Sequence, residues 1–538
     1  MPKMKNTSER YALLIKVIPI LIAFVAITCI ALSVGTTESN FYNQEQTTGN
    51  SYGAWTSILW TQTTQSDFDA GNLTNVSTTI SPGNVTLAGV TNCTGWYCPW
   101  NFRKKITINH TKVNATQTDF PVLISLSADA DLASSSLANG NDILFTSADG
   151  TTKLDHEIEN FTVSNGKLIA WVRILSLSSS TDTVLYLYFN NSAASSQQNA
   201  AGVWNSNFKG VWHLKESASG VAGEFKDSTS NANNGQGGSG AVPVRTSSGL
   251  IGDAQDYNGT HYISVPNTAS LQPTSAISLS GWIYLRTFGS GFDNDPILRK
   301  GDDNPNNYQL AVDSSGAVPQ IHLLLDESEE IGLAGATTIS PNTWYYIAGT
   351  WNGTIRTIYL NGNQDNSSSR TGTIGTDNRP LYLGGRTGLT DSIDGILDEV
   401  RISNISRSAF WIETEYNNQN SPLTFYTVGT KASPPSDYVP LGTIASAVFD
   451  TTFPLTQWDQ LAWDSETVVG TTNSTFDVRA SDTLFARDDT TPSWTIAGWP
   501  SPVSSGLPSG RYLQWRASLS TNDPSKTPTL NEVRVWYT

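Results

Sequence analysis

The chain has 538 residues, too many for one hydrophobic core, which predicts about three or four domains. Only 14% of residues are charged, and Ser, Thr, Asn and Gly dominate the polar positions, a mix that suits short strands joined by turns and excludes long surface helices. The formal net charge of −16 excludes a basic phosphate-binding surface and hence nucleic acid as a partner, and it keeps an exported chain soluble.

Lys3, Lys5, Arg10 and Lys16 precede an apolar run from Val17 to Val34. Basic residues before such a run and a polar chain after it predict an inside N-terminus and an exported body. With Tyr11 to Ile15 added, the run is long enough to span a bilayer. Residues 1–10 therefore read as a cytoplasmic tail and 11–34 as a transmembrane anchor or signal segment. Ala31-Leu32-Ser33 offers the small-x-small pattern of signal cleavage and a secreted product. The run exceeds the usual signal core of about 7–15 residues, which favours a retained anchor on the cell surface.

Residues 35–94 are rich in Thr, Ser, Asn and Gly, with scattered aromatics such as Trp55 and Trp60, and read as a stalk. Asp67 to Leu87 within it could dock a strand or two onto a later domain. Cys29 lies in the apolar run as a small hydrophobe. Cys93 and Cys98 bracket Thr94-Gly95-Trp96-Tyr97 and are expected to form a local disulfide where the first compact domain begins. Sequons at Asn72, Asn84, Asn109, Asn258 and Asn404 permit glycosylation.

Residues 95–206 contain β-branched and apolar runs between turn clusters, at Lys104 to Ile108, Phe120 to Ile124, Leu168 to Val172 and Val184 to Phe189. They predict a small β-sandwich. Residues 207–430 repeat this grammar at larger scale, from Val211-Trp212-His213-Leu214 to Val400-Arg401-Ile402. Ile358-Tyr359-Leu360 running into Asn361-Gly362 is a hairpin signal. Only Ser408 to Asn417 reads as a helix, with Ser406 as its cap. Residues 431–440, with Pro434-Pro435, read as a linker, and 441–538 as a further β-sandwich with one solvated face. The fold class is all-β: tandem β-sandwich and jelly-roll domains behind one N-terminal segment.

The order of landmarks in 207–430 resembles the laminin-G-like jelly rolls of the concanavalin A-like lectin/glucanase superfamily. They are Trp212-His213-Leu214, the loop Asp227 to Gly235, and Gly249-Leu250-Ile251-Gly252-Asp253-Ala254. Asp256 to Gly259, Trp282, Lys300-Gly301-Asp302 and Asn342-Thr343-Trp344 follow, then Gly384-Gly385-Arg386 and Asp394 to Arg401. Residues 95–206 resemble the domain of unknown function 2341 family through Trp100 to Arg103, Phe120-Pro121-Val122, His156-Glu157-Ile158-Glu159 and Trp171-Val172.

The resemblance implies a structural calcium ion at Asp398, in the closing strand. Asp227 to Gly235 is a turn-rich loop of oxygen donors, so the expected site is Asp227 with Asp398, helped by Asn231 and Asn233. Ordinary turn chemistry, with Asp and Asn bonding their own backbone, is the rival. The resemblance also implies glycan binding, for which the loops offer Asp293, Asn294, Asp302, Asn304, Asn307, Arg386 and Asp391. Trp282 and Trp344 fall at strand positions and are expected in the core.

No catalytic residue is expected. The Glu-x-Asp-x-x-Glu pattern of the superfamily's glycosidases is absent, Asp326 to Glu330 reads as a solvated hairpin, and the five histidines are scattered. Glu157 and Glu159 share one strand face in a motif without known chemistry. The expected function is a surface protein that binds glycan or a cell-surface partner protein through the jelly roll. Alternatives are a structural envelope or appendage component that associates with copies of itself, and a divergent polysaccharide hydrolase.

Overall fold

The computed structural model describes residues 57–80, 83–289, 295–301, 306–314, 318–327, 332–386, 392–498 and 500–538. The apolar run 17–34, with its anchor or signal reading, lies outside them. Among the described residues, no helix is long and apolar enough to cross a membrane.

Strands dominate, as expected, and divide into two compact units. One is Asn92–Pro435; the other joins the chain up to Thr91 to Ser436–Thr538.

In the unit that joins the two ends of the chain, a six-stranded sheet is built around Leu441–Ala445, Tyr512–Thr521 and Thr472–Ser481. A five-stranded sheet is built around Thr529–Tyr537. The described part of the expected stalk is integral to both. Ile58–Gln62 pairs along Thr529–Tyr537, Val85–Leu87 pairs at the start of the same strand, and Asn72–Thr74 pairs with Leu441–Ala445. Phe68, Val85 and Leu87 are buried in one core with Trp515, Leu519 and Val535. The Trp515 indole donates to Gln62 Oε1 at 2.7 Å. The strandedness anticipated for Asp67 to Leu87 thus extends back to Ile58. The expected linker also carries a strand, Ser436–Tyr438, paired with Gly89–Thr91. Short polar strands look like stalk and linker because their partners are more than 300 residues away in sequence.

In Asn92–Pro435, the first module stacks a three-stranded sheet (His156–Thr162, Lys167–Leu177, Gln117–Leu126) on a five-stranded one centred on Phe102–Ile108 and Thr183–Phe189. Cys93 and Cys98 are disulfide-bonded at its entrance, with Cα atoms 5.8 Å apart.

The jelly roll follows. Its eight-stranded sheet has Asp394–Ser403 and Ile277–Leu285 at its centre, and its seven-stranded sheet has Asp295–Lys300 at its centre. Leu279, Leu298, Leu310, Leu323, Ile347 and Leu397 fill the space between the sheets. Asn361 and Gly362, at φ 49° and 80°, make the hairpin between Ile355–Leu360 and Asn363–Ser369 that their sequence announces.

The boundary expected at 206/207 is a packed seam. Trp282, Tyr346, Ala348 and Tyr359 point out of the eight-stranded sheet into the same apolar cluster as Val122, Ile124 and Trp171 of the first module. The helix Ala409–Asn420 adds Trp411 and Ile412 to that cluster. Its cap is Ser408 rather than Ser406, because the Ser408 hydroxyl accepts from Trp411 N–H at 3.1 Å. Tyr426–Ala432 then pairs with Phe102–Ile108, so the end of the expected jelly-roll segment completes the first module's sheet. Trp282 is buried, though in the seam and not between the jelly-roll sheets, whereas Trp344 is half-buried.

The Leu87→Ala variant separates an integral strand from a stalk. Losing a fully buried leucine here is expected to lower stability by about 2–5 kcal/mol in urea unfolding of the full chain. A free stalk would give a change within about 0.5 kcal/mol.

Candidate functional site

The residues expected to hold calcium do not converge. Asp227 closes its own loop: Oδ1 accepts from Val211 and Thr229 N–H, and Oδ2 accepts from the Thr229 hydroxyl and Asn233 N–H, all at 2.8–3.0 Å. Asn231 donates to the Phe208 carbonyl, and Asn233 donates to the Lys209 carbonyl and Ser270. This is the turn chemistry that rivalled the calcium reading. Asp398 belongs elsewhere. Val211, which holds Asp227, pairs with Arg401, whereas Asp398 pairs with Trp282 and accepts from Ile251 N–H at 2.9 Å. The charges around Asp398 are Glu399, Glu159 and His213.

Of the expected glycan-binding residues, only Asn307 and Arg386 are described, and they lie toward opposite ends of one strand. Asp293, Asn294, Asp302, Asn304 and Asp391 lie outside the described residues. Asn307 sits at the Lys300 end of the strand Asp295–Lys300, where Lys300 pairs with Tyr308, and donates to the Gly375 carbonyl. Arg386 follows Leu383, which pairs with Leu298, and Gly384 N–H reaches the Ile297 carbonyl. That places Arg386 toward the Asp295 end. At about 3.3 Å per residue the two ends are roughly 17 Å apart. Between them, Tyr382, Arg299 and Gln309 pair in a row across three strands and alternate with the core residues Leu383, Leu298 and Leu310. The face of the seven-stranded sheet turned away from the core thus carries phenol, guanidinium and amide groups, and all three side chains are buried.

The structure also gathers a group that the sequence leaves scattered. His213, Glu157, Glu159, Glu399, Arg401 and Glu415 meet in the seam between the first module and the eight-stranded sheet, all buried. A β-bulge makes this possible. In a regular strand Leu397 and Glu399 would share a face; here Leu397 and Val400 both enter the jelly-roll core. Ser280 and Trp282 oppose Arg401 and Asp398, so Asp394–Ser403 carries one extra residue, and Glu399 takes φ 53°. Asp398 and Glu399, although consecutive, therefore both leave the core.

Each member is held. His213 Nδ1 lies 2.6 Å from Glu399 Oε1 and 3.6 Å from Glu159 Oε2, and its Nε2 lies 3.3 Å from Glu157 Oε2. Glu157 also accepts from the Trp204 indole at 2.8 Å and the Ser228 hydroxyl at 2.7 Å. Glu159 accepts from the Trp171 indole at 3.0 Å. Arg401 bonds Glu399 at 2.7 Å and also Glu415, with its guanidinium over the rings of Trp171 and Trp204. Gly252 explains part of the glycine motif: at φ 67°, its Cβ would stand 2.6 Å from Glu159 Oε1.

Burial opposes charge throughout the cluster, and partners decide the outcome. Against burial, the Glu399 and Glu157 charges hold the His213 imidazole well above its ordinary range. Glu157 is held at about 2 despite burial, by His213 and its hydrogen bonds. Burial and the Glu399 charge push Glu159 up to about 8, and the same two causes raise Asp398. One donor atom each from Glu159, His213 and Glu399 lies within 4.8 Å of the others, so these three could hold a metal ion.

Residues 257–413 match the family model of the concanavalin A-like lectin/glucanases superfamily, and residues 139–219 match that of the domain of unknown function 2341. Both resemblances read from the sequence therefore hold, in the expected order. No curated protein matches the chain. Among solved structures, domain 4 of AbnA, an extracellular arabinanase from Geobacillus stearothermophilus in complex with arabinotriose, is 17% identical. That match covers 39% of this chain and 98% of that one, with a TM-score of 0.32. The binding domain of Paraclostridial Mosquitocidal Protein 1 is 15% identical over 52% of this chain and 61% of its own, with a TM-score of 0.31. The sialidase of Trypanosoma rangeli is 12% identical over 47% of this chain and 43% of its own, with a TM-score of 0.31. The chain thus spans less than two thirds of the last two.

Replacing Arg401 by Met leaves Glu399 and Glu415 without their guanidinium and is expected to cost about 3–5 kcal/mol in urea unfolding of the full chain. A separate pH effect comes from His156, fully buried against Phe145, where burial lowers the imidazole to about 4. The unfolded chain binds that proton below about 6.5, and the folded chain only near 4. The His156 contribution is therefore constant above pH 6.5 and falls by up to about 1.4 kcal/mol per pH unit between 6.5 and 4. The difference between wild type and His156→Gln, measured by urea unfolding across that range, is expected to follow this slope.

Proposed function

We propose that this is an outward-facing, membrane-anchored binding protein whose jelly roll recognises a glycan or a glycan-bearing cell-surface partner. The observation that carries the reading is which sheet remains for a ligand. The outer face of the eight-stranded sheet is consumed by packing against the first module and the helix Ala409–Asn420, through Trp282, Tyr346 and Trp411. Recognition then falls to the seven-stranded sheet and the loops at its two ends. The row Tyr382, Arg299 and Gln309 on its far face is itself buried, so the loops around it must supply the ring and the hydrogen-bonding groups that a sugar's C–H face and hydroxyls need. The polar segments at the ends are the places to look for specificity: Arg386 toward one, Asn307 toward the other.

Further support comes from chain order. The N-terminal basic and apolar segment precedes the whole β body, consistent with an exported chain held at its N-terminus. The match of 257–413 to a superfamily of lectins and glucanases favours carbohydrate over other ligands, and the absence of the paired-carboxylate motif favours binding over hydrolysis.

A glycan array probed with the full chain tests this. Binding is expected to fall at least tenfold in either Arg386→Ala or Asn307→Ala, and the sensitive residue identifies the end of the sheet that is used. No glycan bound, together with concentration-dependent self-association in sedimentation, would replace this reading with the structural one.

A further inference from the structure

The seam cluster has the make-up of a metal centre, and we propose that Glu159, His213 and Glu399 bind a divalent transition-metal ion of the zinc type that staples the first module to the jelly roll. The three donors come from separate places: the strand His156–Thr162, the residue just after Phe208–Trp212, and the bulge in Asp394–Ser403. They meet on one side of the imidazole. Two donors on a tetrahedral zinc at about 2.1 Å each lie about 3.4 Å apart. His213 Nδ1 is 3.6 Å from Glu159 Oε2, close to that spacing, and 2.6 Å from Glu399 Oε1, a pair that has to open by less than about 1 Å to admit the ion.

The surroundings are those of a supported ligand set. Glu157 faces His213 Nε2 at 3.3 Å and is itself fixed by Trp204 and Ser228. This is the carboxylate–histidine–metal relay that orients an imidazole for its ion. Arg401 steadies Glu399, and Trp171 steadies Glu159. Two oxygens supply the independent sign of a missing partner: Glu159 Oε1 and Asp398 Oδ1 are buried with no hydrogen bond. Both carboxylates lie beneath the Gly249–Gly252 turn, where Ile251 N–H holds the other Asp398 oxygen and Gly252 lies against Glu159 Oε1. The chain supplies three donors, and a water would complete a tetrahedral set.

The nitrogen ligand decides the class of ion. Calcium takes six to eight oxygens and magnesium keeps its waters, whereas one imidazole with carboxylates in a dry, closed site suits zinc. With its three protein donors on buried side chains, the ion's role is structural. This differs from the calcium site expected from sequence in its residues, in its ion, and in joining two modules.

The test uses the full chain, purified without chelators from zinc-supplemented culture. Elemental analysis is expected to find about one zinc per chain, and cobalt substitution to give the intense visible absorption of a four-coordinate ion. The melting temperature should be higher with zinc than after unfolding and refolding in EDTA. Zinc content should vanish in His213→Ala, zinc affinity should fall about 10–100-fold in Glu157→Gln, and neither should change in Asp227→Asn. If the wild-type chain retains no zinc and melts identically in zinc and in EDTA, the proposal fails, whatever the variants do. A melting temperature raised by calcium but not by zinc would overturn it as well.

Discussion

A carboxylate cannot stay ionised in a dry seam without a cation or donors beside it, and five of them, Glu157, Glu159, Asp398, Glu399 and Glu415, are buried where the two modules of the larger unit meet. Much of the local architecture follows from that constraint. His213 and Arg401 supply positive charge, and the indoles of Trp171 and Trp204 flank both, so that each cation is solvated by ring faces and carboxylates in place of water. The bulge at Glu399 exists in the strand that must deliver two consecutive acids to the seam while still sending Leu397 and Val400 into the core. The glycines at 249 and 252 let the covering turn approach the Asp398 and Glu159 oxygens. Removing any one partner therefore exposes the cost of the others.

The same seam explains why the two modules form one unit. Apolar packing alone would let them slide; a charge network with fixed hydrogen-bond directions does not. Replacing such a network by matched apolar residues is often neutral or stabilising in other proteins, so its presence here is better read as setting orientation than as adding stability. Orientation set in this way fixes which sheet of the jelly roll is covered by the first module. One jelly-roll sheet, the eight-stranded one, serves as the docking face for the first module.

Much of the fold was legible in the sequence because its signals are local. The hairpin at Asn361-Gly362, the continuous apolar strand Thr183–Phe189 and the helix after Ser406 depend on residues a few positions apart. The ordered motifs of the jelly roll placed it and its preceding module correctly. What was missed depends on distant pairing. Ile58–Gln62 becomes a strand only because Thr529–Tyr537 accepts it, and Tyr426–Ala432 only because Phe102–Ile108 does. Nothing in the composition of either segment announces such a partner, so one reads as stalk and the other as the tail of the preceding domain.

The candidate site was harder to read for a related reason. Glu157 and Glu159 were visible as two acids on one strand face, His213 as part of an opening strand, and Asp398-Glu399 as part of a closing one. Each was a landmark of its own segment. Period-two alternation sends Asp398 and Glu399 to opposite faces, and only the bulge reverses that expectation. Asp227 misled in the opposite sense, since an Asp in an Asn-rich loop looks like a cation ligand while its four hydrogen bonds are all spent on the loop and the adjoining strand. The distinction is general and physical. A carboxylate saturated by backbone and hydroxyl donors has little left to offer an ion. One buried with an unbonded oxygen beside a histidine and other acids is short of a partner, as Glu159 and Asp398 in the seam are.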